Sequence, residues 1–176
     1  MSIHPFGDLI PNIAETAFIA PGVRIIGDVT IGDESSIWYN VVLRGDVDRI
    51  TIGDRTNIQD GSVVHVTTRK YATIIGDDVL IGHLAMIHGA TLENHAFVGL
   101  GAIVMDNCVI ESDAMLAAGA LLAPGKRVPS RELWAGRPAK YLRMLTDEEL
   151  ARNRAASAGY VTLAKEHQKS LRQPGP

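Results

Sequence analysis

Three of the six histidines in this chain, His65, His83 and His88, fall within residues 65–88. Three imidazole ligands with a fourth position left open form the ligand set of catalytic zinc, which activates a water molecule. The spacings of 18 and five residues do not place the three side chains on one face of an α-helix. Whether they can bind one metal therefore depends on the fold that positions them.

The strongest pattern in the sequence is an aliphatic residue at every sixth position. A six-residue period is foreign to an α-helix and indicates a short strand followed by a corner. If three such hexads close one coil, each coil stacks about 4.8 Å above the previous one, and the aliphatic side chains fill a dry interior. The sequence thus predicts an all-β fold, a parallel β-helix of hexapeptide repeats. The aliphatic positions are Ile13, Ile19, Ile25, Ile31, Ile37, Leu43, Ile52, Ile58, Val64, Ile75, Ile81, Ile87, Leu92, Val98, Val104, Ile110, Leu116, Leu122 and Val128.

The hexad pattern also divides the chain. Residues 1–12 are predicted to be an N-terminal cap segment, 13–130 the β-helix, 131–145 an exit segment, 146–171 a C-terminal α-helix and 172–176 a frayed tail. The helix prediction depends on Thr146 and Glu149, which have the spacing of a capping box, and on the Ala-, Leu- and Glu-rich residues after them.

The histidines take definite places on this frame. His65 and His88 are each the second residue of a hexad, so they stack on one face if residues 67–72 form a single outward loop. If that loop contains a further hexad, the stacking fails. His83 is the third residue of the intervening hexad and projects from a different face. In a cyclic trimer, His83 of one subunit would meet His65 and His88 of the next.

Composition excludes several function classes. A net charge of −3 without a basic stripe argues against nucleic acid as a partner. The N-terminus lacks the features of a signal peptide and no apolar run is long enough to span a bilayer, so we expect no membrane association and a cytoplasmic location. The single Cys108 occupies a small-residue hexad position, where a buried structural role is expected. His4, His95 and His167 are expected to be ordinary surface or hydrogen-bonded residues.

Four segments together resemble the gamma-class carbonic anhydrase family: NVVLRGD (residues 40–46), IGDRTNIQDGSVVH (52–65), IGHLAMIHG (81–89) and LWAGRPAKYLR (133–143). The resemblance implies a left-handed parallel β-helix and a homotrimer. It also implies Zn²⁺ at each subunit interface, with Fe²⁺ or Co²⁺ as alternative metals. His65, His83 and His88 match the family's ligands, with His83 contributed by the neighbouring subunit. Arg44, Asp46 and Asp60 match its ion-pair cluster, and Asn57 and Gln59 match polar residues that orient water or bicarbonate.

Two departures from the family pattern concern proton export. Members with fast turnover resemble one another in a long acidic loop between the first two ligands, whereas this chain has the short basic segment VTTRKYA (residues 66–72). The family also has a Glu directly after the Arg-x-Asp motif, and this chain has Val47 at that position. The chain therefore resembles the loop-lacking subclass, which includes ferripyochelin-binding-like and phenylacetate-pathway proteins. In that subclass a helix tyrosine approaches the metal, and Tyr160 is the matching candidate. The alternative role for Tyr160 is to anchor the helix on the β-helix.

The leading hypothesis, implied by the resemblance, is a carbonate dehydratase. This lyase interconverts carbon dioxide and bicarbonate through zinc-activated hydroxide, and its activity is low if proton export limits turnover. A hexapeptide-type acyltransferase or acyl-CoA thioesterase is the first alternative, although that chemistry needs only one His as base. A metal-binding scaffold without turnover is the second alternative.

Overall fold

The computed structural model describes residues 2–172 and is a parallel β-helix of about seven turns followed by one α-helix. The predicted fold class, a left-handed parallel β-helix of hexapeptide repeats with a C-terminal α-helix, is confirmed. Of the predicted frayed tail, only Arg172 belongs to the described residues; residues 173–176 lie outside them.

The strands, numbered β1 to β20 in chain order, form three faces of a prism. The first face contains β1 (Ser2–His4), the first parts of β4 (Arg24–Ile31) and β6 (Val42–Ile52), β8 (Val63–His65), β11 (Met86–His88), β14 (Ile103–Val104) and β17 (Leu121–Leu122). The second face contains β2 (Asn12–Ile13), the second parts of β4 and β6, β9 (Thr73–Ile75), β12 (Thr91–Leu92), β15 (Val109–Ile110) and β18 (Arg127–Val128). The third face contains β3 (Phe18–Ile19), β5 (Ser36–Ile37), β7 (Asn57–Ile58), β10 (Leu80–Ile81), β13 (Phe97–Val98), β16 (Met115–Leu116), β19 (Glu132–Gly136) and the antiparallel β20 (Ala139–Met144).

The hexad aliphatics form the interior of the prism. From Ile25 to Val128 every one of these side chains is at most 2% exposed, and parallel pairing aligns each with its counterpart in the next coil. Because each coil covers the apolar surface of its neighbours, the stack buries a continuous core that no single coil could bury alone. Cys108 is 1% exposed and lies in this core, so its expected buried position is confirmed.

The helix α1 (Asp147–Leu171) lies along the third face. Its first turn has the predicted capping box, in which the Thr146 side chain accepts from the Glu149 backbone and the Glu149 carboxylate accepts from the Thr146 backbone. Ion pairs with residues on the edge between the second and third faces attach the helix to the β-helix at two places. Arg154 forms a bidentate pair with Asp113, and Lys165 pairs with Glu34. No helix within residues 2–172 is both long and apolar enough to cross a membrane.

Candidate metal centre

The strand register shows whether residues 67–72 form a single loop or contain a further hexad. His65 at the end of β8 pairs with His88 at the end of β11, so residues 67–72 form a loop within one coil and the predicted stacking is confirmed. The His65 Nδ1 and His88 Nε2 atoms face each other at 3.0 Å. Two nitrogens on one tetrahedral zinc, with Zn–N of about 2.0–2.1 Å, stand about 3.3 Å apart. The pair therefore needs a shift of only a few tenths of an ångström to share one ion.

The outer nitrogen of each of these rings meets a carboxylate. His65 Nε2 lies 3.0 Å from Asp46 Oδ1, and His88 Nδ1 lies 2.7 Å from Asp106 Oδ1. Metal-ligating histidines characteristically donate their other N–H to such a partner, which fixes the tautomer and the ring orientation. Both rings thus leave one nitrogen, the one facing the other ring, as the atom that could bind a metal.

Asp46 is itself held by a guanidinium. Arg44 Nη1 donates to Asp46 Oδ2 at 2.6 Å, so the two carboxylate oxygens have one cationic partner and one histidine partner. Burial acts to raise the pKa of Asp46, but the hydrogen bonds from Arg44 and His65 outweigh it and hold that pKa below the ordinary 3.8. Asp46 therefore stays ionised and acceptor-only throughout the neutral range.

A second half of the site lies on the edge between the third and first faces. His83, two residues after β10, places Nδ1 2.8 Å from Asp60 Oδ2, and both side chains are 41% exposed. This repeats the carboxylate–histidine pairing of His65 and His88. Five of the predicted site residues thus belong to carboxylate–histidine pairs, which lie on two different edges: His65, His83, His88, Asp46 and Asp60.

Asn57 and Gln59 lie just before Asp60 and are 0% and 4% exposed. Gln59 Nε2 donates to Asn57 Oδ1 at 3.0 Å, and Asn57 Nδ2 reaches the Val79 carbonyl at 3.4 Å. This chain of amides fixes the Gln59 side chain and leaves its Oε1 without a hydrogen-bond partner among the described residues. Gln59 Oε1 can accordingly accept a hydrogen bond from a group that approaches the edge beside His83.

Tyr160 on α1 packs over the same part of the third face. Its ring meets Trp38 edge-on with centroids 5.4 Å apart, so it does anchor the helix on the β-helix. Burial, and secondarily the Asp60 carboxylate, raises the pKa of the Tyr160 hydroxyl. The contact with Trp38 is therefore the structural role that the geometry gives Tyr160, and an approach of Tyr160 to a metal stays a prediction.

The two halves cannot meet within one chain. His83 and His88 lie at opposite edges of the first face, and five residues of mostly extended chain separate their Cα atoms by on the order of 15 Å. Within residues 2–172 no group of three or more His, Cys, Asp or Glu side chains is arranged to hold a metal ion. One chain thus presents two candidate ligands, His65 and His88, on one edge and one candidate ligand, His83, on the other.

Similar proteins of known family identify the family of this chain. The family model "Bacterial transferase hexapeptide (six repeats)" matches residues 11–45. A carbonic anhydrase of Geobacillus kaustophilus is 42% identical over 97% of this chain and 93% of its own length. Gamma carbonic anhydrase 1, mitochondrial, of Arabidopsis thaliana is 48% identical over 91% of this chain, which spans only 60% of that relative's length. This chain belongs to the gamma-class carbonic anhydrase family. The crystal structure of a hexapeptide transferase family protein from Anaplasma phagocytophilum superimposes with a TM-score of 0.90 at 52% identity, covering 94% of this chain and 97% of that one.

Asp106 was not among the site residues predicted from the sequence. It was absent from the predicted site because it lies in the next coil, 18 residues after His88. The 18-residue coil period was the available signal, since it places Asp106 one layer above His88. Thr67, which donates to Asp106 Oδ1 at 3.0 Å, was also missed because it belongs to the short loop.

Proposed function

We propose that this chain is a zinc-dependent carbonic anhydrase that hydrates carbon dioxide to bicarbonate at the interfaces of a homotrimer. The observation that supports this most directly is the division of three carboxylate-paired histidines between two edges of one prism. A cyclic arrangement brings His83 of one subunit to His65 and His88 of the next and generates identical sites.

Exposed apolar side chains beside His83 support the same interface. Leu84 is 73% exposed, Met86 41% and Leu100 53%, and Leu100 lies one coil above His83. Leu84 also has φ of +58°, at a corner where neighbouring coils have Asn40, Gly61 and Gly101. A leucine in the left-handed region of the backbone costs roughly 1–2 kcal/mol, so its presence fits a side chain that a neighbouring subunit buries.

The residues of the chain have separate roles in the proposed reaction. His65, His88 and His83 of the neighbouring subunit would hold zinc, which would lower the pKa of a bound water molecule to about 7 and so supply a nucleophile at neutral pH. Asp46, Asp60 and Asp106 fix the three imidazoles so that one nitrogen of each is free to bind. Arg44 keeps Asp46 ionised and oriented. Gln59, locked by Asn57, offers a fixed acceptor beside His83 and would orient the nucleophile toward carbon dioxide.

Proton export is the step for which this chain provides the fewest groups. Val47 is partly buried and packed against the core, and the loop after His65 contains Arg69 and Lys70 and no acid. Since hydroxide must be regenerated at each turnover, we expect turnover that depends on buffer concentration. A location in the cytoplasm stays a prediction from sequence.

The test is metal content together with stopped-flow hydration of carbon dioxide, before and after reconstitution with Zn²⁺. One zinc per chain and metal-dependent hydration are expected, and His83→Ala should abolish both while the trimer remains. Zinc binding with no hydration would refute the proposed reaction. The same preparation would then be assayed with acyl-CoA esters, because the Anaplasma phagocytophilum relative belongs to a hexapeptide transferase family. Turnover of an acyl-CoA would establish the transferase or thioesterase alternative, and no turnover of either substrate would leave a metal-binding scaffold.

A further inference from the structure

We propose that Asp106, held by Thr67 of the short loop, is a positioning residue that sets the tautomer and orientation of His88. The inference rests on the proposed function, in which His88 binds zinc. It gives the short basic loop a role of its own: the loop contributes a hydroxyl that organises the metal-binding edge.

The geometry at Asp106 brings two partners to one oxygen. Oδ1 lies 2.7 Å from His88 Nδ1 and accepts from Thr67 Oγ1 at 3.0 Å. An ionised carboxylate is an acceptor only, so the His88 nitrogen facing it must carry the hydrogen. The neutral ring then has its lone pair on Nε2, the atom that faces His65 at 3.0 Å. Asp106 thereby selects the His88 tautomer that can bind a metal beside His65.

The loop holds Thr67 in place through its own closure. The Thr67 backbone N–H donates to the Tyr71 carbonyl at 3.0 Å, and the Tyr71 N–H returns to the Thr67 carbonyl at 3.2 Å. Thr67 is β-branched and has few side-chain rotamers, so a fixed backbone fixes its hydroxyl well. The hydroxyl in turn restricts rotation of the Asp106 carboxylate, which a single hydrogen bond to His88 would leave freer to turn.

Gly89, directly after His88, makes this close approach possible. A Cβ atom at Gly89 would stand 2.5 Å from Asp106 Oδ1 and 2.8 Å from Tyr71 Cβ, and its φ is +56°. The Gly89 carbonyl accepts from the Asn107 backbone at 2.8 Å, which ties the segment containing Asp106 to the segment containing His88. The loop, Asp106 and His88 thus meet over a position that only glycine fits without displacement.

The experiment compares four variants of the trimer: Asp106→Ala, Thr67→Ala, Thr67→Ser and the matched control Thr68→Ala, whose side chain is exposed. Zinc dissociation constants are measured by competition with a chelator. Loss of such a carboxylate partner typically costs 10- to 100-fold in metal affinity, and we expect that range for Asp106→Ala. Loss of one supporting hydrogen bond should weaken binding about 2- to 10-fold in Thr67→Ala. Thr67→Ser keeps the hydroxyl but loses the β-branch that fixes it, so it should bind zinc more tightly than Thr67→Ala and no more tightly than the unmodified protein. Thr68→Ala should bind like the unmodified protein.

A second measurement separates positioning from simple stapling of the loop. Nitrogen NMR of metal-free, ¹⁵N-histidine-labelled protein should show His88 protonated at Nδ1, and this preference should be lost in Asp106→Ala. Unchanged zinc affinity in Asp106→Ala and Thr67→Ala, or an unchanged His88 tautomer in Asp106→Ala, would overturn the inference. If Asp106→Ala does not fold, Thr67→Ala decides, because it keeps the carboxylate. Failure of the unmodified trimer to bind zinc would instead refute the proposed function, and the tautomer would still decide the role of Asp106.

Discussion

Replacing Leu84 by Asn should weaken the trimer without weakening the fold of the chain. The side chain is 73% exposed in the single chain. Burying a whole leucine is worth about 1.5–3 kcal/mol, so covering this exposed fraction in the trimer is worth about 1–2 kcal/mol per interface. That free energy corresponds to a loss of about 5- to 30-fold in association. Asn tolerates the left-handed backbone at this corner, where φ is +58°, so the strain of about 1–2 kcal/mol is reduced at the same time.

The two effects have opposite signs and are measured separately. Sedimentation of a dilution series should show monomer at higher protein concentration for Leu84→Asn than for the unmodified chain. Urea unfolding under monomeric conditions should show equal or greater stability. The matched control is Leu142→Asn on β20, whose side chain is 59% exposed and lies away from both histidine edges. Equal trimer affinity in Leu84→Asn and the unmodified protein would refute the placement of this edge at the interface.

Three further predictions concern the site and the helix. Gly89→Ala should lower the free energy of unfolding by more than the ~1–2 kcal/mol of left-handed strain and should impair zinc binding, because the added Cβ meets Asp106 and Tyr71. The control is Gly125→Ala, where φ is +72° and a Cβ atom meets open space. Urea unfolding of this control should show the strain alone, and its zinc binding should be unchanged. Tyr160→Phe should leave urea stability unchanged because the contact with Trp38 remains, and Tyr160→Ala should lower it; a loss of stability in the Phe variant would contradict the anchoring role. The Arg143 side chain and the Thr146 backbone lower the pKa of Glu149 to about 2, so the contribution of Glu149 to stability is present above pH 4.5 and is lost as pH falls toward 2. The difference in unfolding free energy between the unmodified chain and Glu149→Gln should therefore disappear over that window. A difference that persists at pH 2 would contradict this.

The fold followed from the sequence because one physical signal repeats along most of the chain. Aliphatic residues at six-residue steps specify where each strand faces inward, and every such residue from Ile25 onward is buried. The same period predicted that His65 and His88 stack, since residues one coil apart share a face. The sequence could also indicate that His83 lies on another edge, because it occupies a different place in its hexad.

The partners of these histidines could not be predicted in the same way. Asp106 and Thr67 reach His88 through side-chain geometry and a loop closure that the hexad period does not encode. The contacts of α1 could likewise not be predicted, because Glu34 and Asp113, which pair with Lys165 and Arg154, lie on one edge only when the coils stack. Leu84 reads as an ordinary aliphatic residue in the sequence, and its exposure and left-handed backbone become visible only in the structure.

The central claim is that each metal site is shared between two subunits, and mixing inactive variants tests it most directly. His83→Ala and His65→Ala chains each lack one ligand, so neither homotrimer should bind zinc. When they are unfolded together and refolded in equal amounts, an interface is complete wherever an intact His65–His88 edge meets an intact His83 edge. Random assembly of a cyclic trimer makes about a quarter of the interfaces complete, so zinc should return to about a quarter of the unmodified level per chain. A site built within one chain would regain no zinc on mixing, and that result would contradict the shared site.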